Sequence, residues 1–355
     1  MNEISEIRRI GVLTSGGDCA GLNAAIRAVV YRASFGYGWD VVGIENGTLG
    51  LLSRPIAARP LGPSDFDGRL IRESGTFLGS TNKGNPFAFE MPDGSVRDRS
   101  GDVAAAVAEL GLDAVVGIGG DGILALLKRH ADQGGFPLVC IPKTIDNDVG
   151  VTEVSIGYDT AVHVATEALD RLQPTAASHG RVMILEVMGR DAGHIALVSG
   201  IAGGADVILI PEIGYDIDVV AAKLSEAQDN DRKHALMVVA EGCPAPDGNG
   251  KYGGVGHAVA EALSGKLESE IRVTVLGHVQ RGGVPTARDR LMAAAFGTRA
   301  VDLLAEGQRD RMVAWRDRQV IDVPIADAIA NYRGVDVDGA VVATARGLGI
   351  SLGDA

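Results

Sequence analysis

The chain has 355 residues, 46% hydrophobic and 4% aromatic, which is enough for two lobes with cores of their own. A formal net charge of −13 argues against a nucleic-acid or membrane-surface binder, since each needs a basic face; a local arginine cluster can still outvote that sign toward a small phosphate ester. Cys19, Cys140 and Cys243 lie far apart without metal-ligand spacing and read as reduced thiols, residues 1–9 carry charges and no apolar stretch, and no run reaches transmembrane length, so a cytoplasmic protein is expected.

The 49 glycines punctuate apolar runs, which excludes a low-complexity disordered chain. Residues 10–14 are a short apolar run, read as a buried strand, and a helix is expected over about 22–34. Between them lies Thr14-Ser15-Gly16-Gly17-Asp18. Glycines before a helix free backbone N–H groups to face an anion, although a tight turn explains this stretch equally well. Residues 41–44 form a second strand, 103–110 a helix, 114–118 a strand and 123–132 a helix. The junction Gly117-Ile118-Gly119-Gly120-Asp121-Gly122 satisfies G-x-G-x-x-G, so a dinucleotide loop and a structural turn are both open readings. Asp121 favours a third. A carboxylate there repels a pyrophosphate unless a cation lies between, and Mg²⁺ held by one carboxylate plus phosphate oxygens meets that need.

A strand over 138–141 leads into Pro142-Lys143-Thr144-Ile145-Asp146-Asn147-Asp148. Two carboxylates two residues apart in an extended loop project to one side, so one can take a proton from a hydroxyl while the other orients metal or base. An Asx-turn cluster is the competing explanation. A helix over 160–172 and a strand over 182–187 precede Met188-Gly189-Arg190-Asp191-Ala192-Gly193-His194, where Arg190 suits a phosphate or a transferring phosphoryl group. A helix over 195–202 and strands over 207–210, 236–240 and 273–276 follow, then a long helix over 288–304. Arg181 and Glu241 stand at strand ends, and Glu241 suits sugar hydroxyls. Arg272, His278 and Arg281, in and beside Gly277-His278-Val279-Gln280-Arg281-Gly282-Gly283, are expected to gather around a sugar phosphate. The alternation predicts an α/β fold: two Rossmann-like lobes with mostly parallel sheets flanked by helices, with ligands in the loops after the strands. A boundary is expected near 150–157, and the tail from about 335 carries no readable chemistry.

Taken together, G-G-D after the first strand, G-G-D-G, P-x-T-I-D-N-D, M-G-R and G-H-x-Q-R-G-G resemble the phosphofructokinase family, in that family's order and over nearly the whole chain. The resemblance implies a glycolytic kinase that moves the terminal phosphoryl of ATP to the 1-hydroxyl of fructose 6-phosphate. It implies Asp121 as the Mg²⁺ ligand, and donor binding by Gly16, Gly17, Lys83, Gly84, Gly120, Asp121, Gly122 and Ile123. It implies Asp146 as the general base, assisted by Thr144 and Asp148, and Arg190 on the transferring phosphoryl. The sugar site it implies adds Ile145, Met188, Gly189, Glu241, Val279 and Gln280, with Arg181, Arg272, His278 and Arg281 on the 6-phosphate. In bacterial members the counterparts of Arg181 and Arg272 come from a neighbouring subunit, so a homo-oligomer, a tetramer or dimer, is implied. So are a donor lobe over 1–157 plus about 270–320 and a sugar lobe over about 158–269 plus 321–355.

The donor signature is mixed. Gly122 leaves room for a nucleotide's α-phosphate and fits ATP, whereas Lys143 is typical of pyrophosphate users, so a reversible pyrophosphate-dependent enzyme is the main alternative. Lys83 takes the place of a usual arginine, Cys19-Ala20-Gly21 replaces A-P-G, and Tyr31 stands where regulated members carry a second effector-site arginine beside Arg27. NAD and lipid kinases share G-G-D-G but lack the other motifs. A non-catalytic sugar-phosphate sensor would keep the arginines while having no need of both Asp121 and Asp146.

Overall fold

A computed structural model describes residues 7–229, 232–246, 248 and 253–354. In chain order the strands are β1 (Arg9–Thr14), β2 (Asp40–Ile44), β3 (Ala58–Leu61), β4 (Phe89–Glu90), β5 (Val96–Arg97), β6 (Ala114–Gly119), β7 (Leu138–Pro142), β8 (Val182–Val187), β9 (Val207–Leu209), β10 (Ala235–Ala240), β11 (Ile271–Val275), β12 (Arg311–Arg316) and β13 (Gln319–Pro324). The α-helices are α1 (Leu22–Tyr31), α2 (Thr48–Leu52), α3 (Ser100–Glu109), α4 (Asp121–Gly134), α5 (Tyr158–His179), α6 (His194–Ala202), α7 (Ile217–Asp229), α8 (Val255–Leu263), α9 (Ala287–Ala305), α10 (Ile325–Ala330) and α11 (Ala340–Gly347). They fall into two compact units. The first takes in the described residues up to Thr144, with Val149–Gly157 and Val284–Tyr332; the second takes in Ile145–Asp148, the described residues of Tyr158–Gly283, and those from Arg333 onward.

The first unit is built on a seven-stranded sheet in the order β13-β12-β7-β6-β1-β2-β3. Its five middle strands are parallel, and β13 and β3 close the edges antiparallel. The sequences RIGVLT and AVVGIG of β1 and β6 are buried except at Arg9, as expected for strands covered on both faces. Leu13, Leu124, Leu127, Leu138 and Met312 belong to the core that covers them. Helix α1 packs on α9, and Gly297 sets that approach: a Cβ there would stand 2.6 Å from Ala28 Cβ and 2.8 Å from the Ala25 carbonyl oxygen. From β1 the chain goes to β2 on one side, while β6 and β7 lie on the other. The carboxyl ends of β1 and β6 therefore flank a topological switch point, where open α/β sheets bind ligands.

The second unit holds a four-stranded parallel sheet in the order β11-β8-β10-β9. VMILEV and ALMVVA, of β8 and β10, are buried throughout. The one carboxylate among them, Glu186, accepts the N–H groups of Gly254 (2.7 Å) and Gly256 (2.8 Å). A buried anion is thus satisfied at the positive start of α8. Because β8 and β10 are neighbours, the loops after Val187 and Ala240 leave the sheet side by side.

Several boundaries differ from expectation. The helix expected over 22–34 stops being regular at Tyr31 and continues as a wider turn over Arg32–Tyr37, ending at Gly38 with φ 69°. The helix expected over 160–172 runs to His179, through Pro174. Pro174 and Asp170 are both exposed, so water can satisfy the carbonyl that loses its N–H partner. The lobe crossings expected near 157, 270 and 320 stand against divisions after Gly157, Gly283 and Tyr332. Strand β11 pairs with β8 and so belongs to the second unit, while β12 and β13 extend the first unit's sheet beyond β7.

Candidate active site

In the first unit three loops leave the carboxyl ends of β1, β6 and β7. Ser15 N–H donates to the Ile118 carbonyl (3.0 Å) and Lys143 N–H to that of Gly119 (3.0 Å), which ties them together. Gly16 has φ 84°, its N–H donates to the Thr81 carbonyl (2.7 Å), and its own carbonyl accepts from Ser80 Oγ (2.5 Å). Lys143, 3% exposed, donates through Nζ to the carbonyl of Gly17, so this residue braces the first loop from β7. The Ile123 side chain fills the angle between Gly16 and Gly119, where a Cβ would stand 3.1 Å and 2.4 Å from it.

Gly120 precedes α4, and its carbonyl accepts from Ile123 (3.0 Å) and Leu124 (2.9 Å). The first N–H groups of α4 have no acceptor within the helix and suit an anion. Asp121 and Gly122 are exposed there, and a Cβ added to Gly122 meets nothing within 4 Å. Lys83 is exposed. Gly84 has φ 75° and packs on Leu49, 2.5 Å from where a Cβ would be, so its place is dictated by packing. Among the described residues no three His, Cys, Asp or Glu side chains form a metal cluster, and Asp121 is an exposed carboxylate in the first turn of α4, beside these N–H groups. That donor set fits Mg²⁺, which takes one or two carboxylates plus phosphate oxygens and water. Thr144 ends this unit's part of the β7 loop.

In the second unit Ile145, Asn147 and Asp148 are buried, and Asn147 takes φ 56°. Burial, reinforced by Asp148 and Glu241, pushes the Asp146 carboxyl up to about 7 against the pull of Arg281 and Arg190. Both acids and both arginines thus act on one carboxyl group. Arg190 sits in the left-handed region at φ 51°, and its N–H donates to Glu241 Oε1 (3.2 Å). Gly189 has φ 150°, and a Cβ on Gly242 would lie 1.7 Å from the Arg190 carbonyl oxygen, so the loops after β8 and β10 are in direct contact. Met188 N–H donates to Gln280 Oε1 (2.7 Å), and Gln280 is 1% exposed. Gln280 therefore holds the Met188 backbone, whereas His278 and Val279 beside it are exposed and Arg281 is half-buried.

The structure separates two arginines from this group. Arg181 precedes β8, and Arg272 at the start of β11 lies level with Met183, whereas Met188, Arg190 and Arg281 follow the far ends of those strands. The seven residue steps from Arg181 to Met188 span about 23 Å of extended chain. The expectation that Arg272 gathers with His278 and Arg281 around one phosphate is therefore not met within one chain. Arg181 and Arg272 instead share Glu270, holding its carboxyl below the usual range through the Arg181 hydrogen bond first.

No role was expected of Glu212, Arg333 or His194, the last residue of the Met188–His194 motif. Gly193 N–H donates to both oxygens of Glu212 (3.0 and 3.1 Å), and Val335 N–H donates to Glu212 Oε1 (2.8 Å). His194 Nε2 lies 3.1 Å from the Arg333 carbonyl, and Arg333 N–H donates to that of Asp148 (3.0 Å). Burial holds the His194 imidazolium below its usual range. Glu212 follows β9, so the strand-end rule would have found it; nothing in the local sequence of residues 333–335 marks them.

Residues 9–304 match the family model described as Phosphofructokinase. The chain is 57% identical to the ATP-dependent 6-phosphofructokinase 1 of Synechocystis sp., across 99% of this chain and 100% of that protein. It is 46% identical to the ATP-dependent 6-phosphofructokinase of Chloroflexus aurantiacus, across 99% of each. Among solved structures, Pichia pastoris phosphofructokinase in the T-state superposes with a TM-score of 0.80 at 29% identity, covering 92% of this chain and 36% of that longer one. The pyrophosphate-dependent phosphofructokinase of Nitrosospira multiformis shares the fold at a TM-score of 0.80, with 22% identity over 98% of this chain and 92% of that one.

Proposed function

The chain belongs to the phosphofructokinase family, and from that premise we propose which of its residues carry the reaction. The enzyme is a phosphotransferase that moves the terminal phosphoryl group of ATP onto the 1-hydroxyl of fructose 6-phosphate. Asp146 carries the mechanistic reading. It is a buried carboxyl raised to about 7 at the end of β7, so it is basic enough to accept a hydroxyl proton near neutral pH. As the 1-oxygen bonds to the γ-phosphorus and the bond to ADP breaks, the hydroxyl proton passes to Asp146. Arg190 offsets charge on the transferring group, and Thr144 and Asp148 position the base loop. Glu241 accepts from sugar hydroxyls, while Arg281 and His278 hold the 6-phosphate. Phosphoryl transfer asks the protein chiefly for this positioning and charge compensation.

Donor phosphates meet the backbone of Gly16, Gly17, Gly120 and Gly122. Asp121 would hold Mg²⁺, which when bound supplies charge neutralisation between donor phosphates and protein. The open space at Gly122 favours a nucleotide. Lys143, the residue that pointed toward pyrophosphate, is engaged with the carbonyl of Gly17, a bracing role indifferent to the donor. Arg181 and Arg272 lie at the other end of their sheet from Met188, Arg190 and Arg281, and we assign them to the site of a second copy. This supports a homo-oligomer in which each sugar-phosphate site is shared. No helix among the described residues is long and apolar enough to cross a membrane. On its likeness to glycolytic kinases we assign the reaction to the cytoplasm.

The test is phosphorylation of fructose 6-phosphate with Mg²⁺ and either ATP or pyrophosphate. Turnover with ATP alone is expected. Turnover with pyrophosphate alone would overturn the donor reading and leave the family intact.

A further inference from the structure

Three segments far apart in sequence are linked within the second unit. Residues 146–148 carry the base; residues 188–193 carry Arg190; residues 333–335 belong to neither loop. Arg333 binds one loop through its N–H, on the Asp148 carbonyl at 3.0 Å, and faces the other through its carbonyl, 3.1 Å from His194 Nε2. A carbonyl only accepts, so His194 carries its proton on Nε2. Two residues on, Val335 N–H reaches Glu212 Oε1 at 2.8 Å, and the same oxygen takes Gly193 N–H at 3.0 Å. Gly193 comes this close only because it lacks a side chain: a Cβ would stand 2.3 Å from Ile210 Cβ and 2.8 Å from Glu212 Oε2. Tyr158 meets the same residue, its ring edge-on to that of His194 and its hydroxyl 3.4 Å from the His194 carbonyl.

We propose that Glu212 and His194 are positioning residues that use the 333–335 segment as a strap, holding the base loop and the arginine loop in one register. Neither side chain is assigned contact with substrate. Glu212 places its anion at the start of α6, where helix N–H groups favour it, and adds the Val335 N–H to the same carboxylate. Displacement propagates in two short steps: Gly193 is three residues from Arg190, and Asp148 is two from Asp146. A shift of about 1 Å between two reacting groups can cost on the order of a hundredfold in rate, so a strap this close to both loops acts on turnover. The inference rests on the proposed roles of Asp146 and Arg190.

The experiment is steady-state kinetics with fructose 6-phosphate, ATP and Mg²⁺, well below the unfolding temperature, alongside thermal unfolding. Glu212→Ala leaves the Gly193 and Val335 N–H groups without their acceptor, and His194→Phe removes the donor while keeping a ring against Tyr158. Each should lower kcat by about tenfold or more with KM for ATP little changed. His194→Gln keeps an N–H and should restore most of kcat; Glu212→Gln keeps Oε1 for both donors but puts an amide NH2 where Oε2 now meets Gly193 N–H, so it should recover part of kcat. Ala and Phe variants that lose thermal stability yet hold kcat within about twofold would overturn the proposal, as would Gln variants as impaired as their partners. If Glu212→Ala fails to fold, the His194 pair carries the test. A wild-type enzyme unable to phosphorylate fructose 6-phosphate would instead overturn the proposed function.

Discussion

Replacing Asp146 by Asn tests the base assignment through stability as well as rate. The folded chain holds this carboxyl near 7 against an ordinary 3.8, so folding favours its neutral form by about 3 pKa units, or roughly 4 kcal/mol. An unfolded chain gives up the proton near 3.8, whereas the folded chain keeps it to about 7. The group's contribution to stability is therefore fully present below about pH 4, is lost as pH rises through 7, and stays lost above it. Asparagine is neutral at every pH and escapes that loss. The variant should match wild type at about pH 4 and exceed it by up to roughly 4 kcal/mol at about pH 8. Its kcat should fall by about 10²–10⁴-fold with fructose 6-phosphate binding retained, and wild-type kcat/KM should have an acidic limb near pH 7. Urea unfolding of both proteins at about pH 5 and pH 8, with binding calorimetry and turnover, reads all of this. A stability gap that does not widen with pH would refute the account of Asp146 as a carboxyl strained by burial. A near-normal kcat would remove it as the base.

Gly122→Asp should fold normally, because nothing lies within 4 Å of the added Cβ, and should lose ATP turnover; undiminished use of ATP would sink the donor argument. Mixing Asp146→Asn with Arg272→Ala under conditions that exchange subunits should restore activity that neither variant has at low fructose 6-phosphate, since a shared site can then draw its base and its arginine from different copies. No recovery after verified exchange would count against a shared site. Gly297→Ala should destabilise the fold by about 1–3 kcal/mol through overpacking between α1 and α9, read as a lower urea midpoint, with kcat per folded molecule unchanged. A neutral result would mean that α1 yields at no cost.

The residues most legible in the sequence are those that follow a strand. Asp121, Asp146, Arg190 and Glu241 each follow an apolar run, and an open α/β sheet sends such residues to its ligand-binding edge. The same cue set Arg272 beside His278 and Arg281, because a residue beside a strand can stand at either end of it. Only the register, with Arg272 level with Met183, tells which end. The β11 pairing likewise moved the lobe crossing past 270: a five-residue strand does not announce which sheet it will join.

What composition and motif could not disclose is how the catalytic loops are kept still. Glu212 accepts backbone N–H groups, Arg333 offers its own N–H and carbonyl, Lys143 serves the carbonyl of Gly17, and Gln280 serves the N–H of Met188. Every residue has those backbone groups, so a sequence carries no mark of which are used. The side chains that answer them need only the right reach and sign, and they therefore look like any other glutamate, lysine or glutamine. It follows that the residues setting the rate divide into two kinds. Those that touch substrate are constrained in chemistry and appear as motifs. Those that hold backbone are constrained in geometry, and Glu212→Gln, which keeps the accepting oxygen and gives up the charge, is the substitution that separates the two.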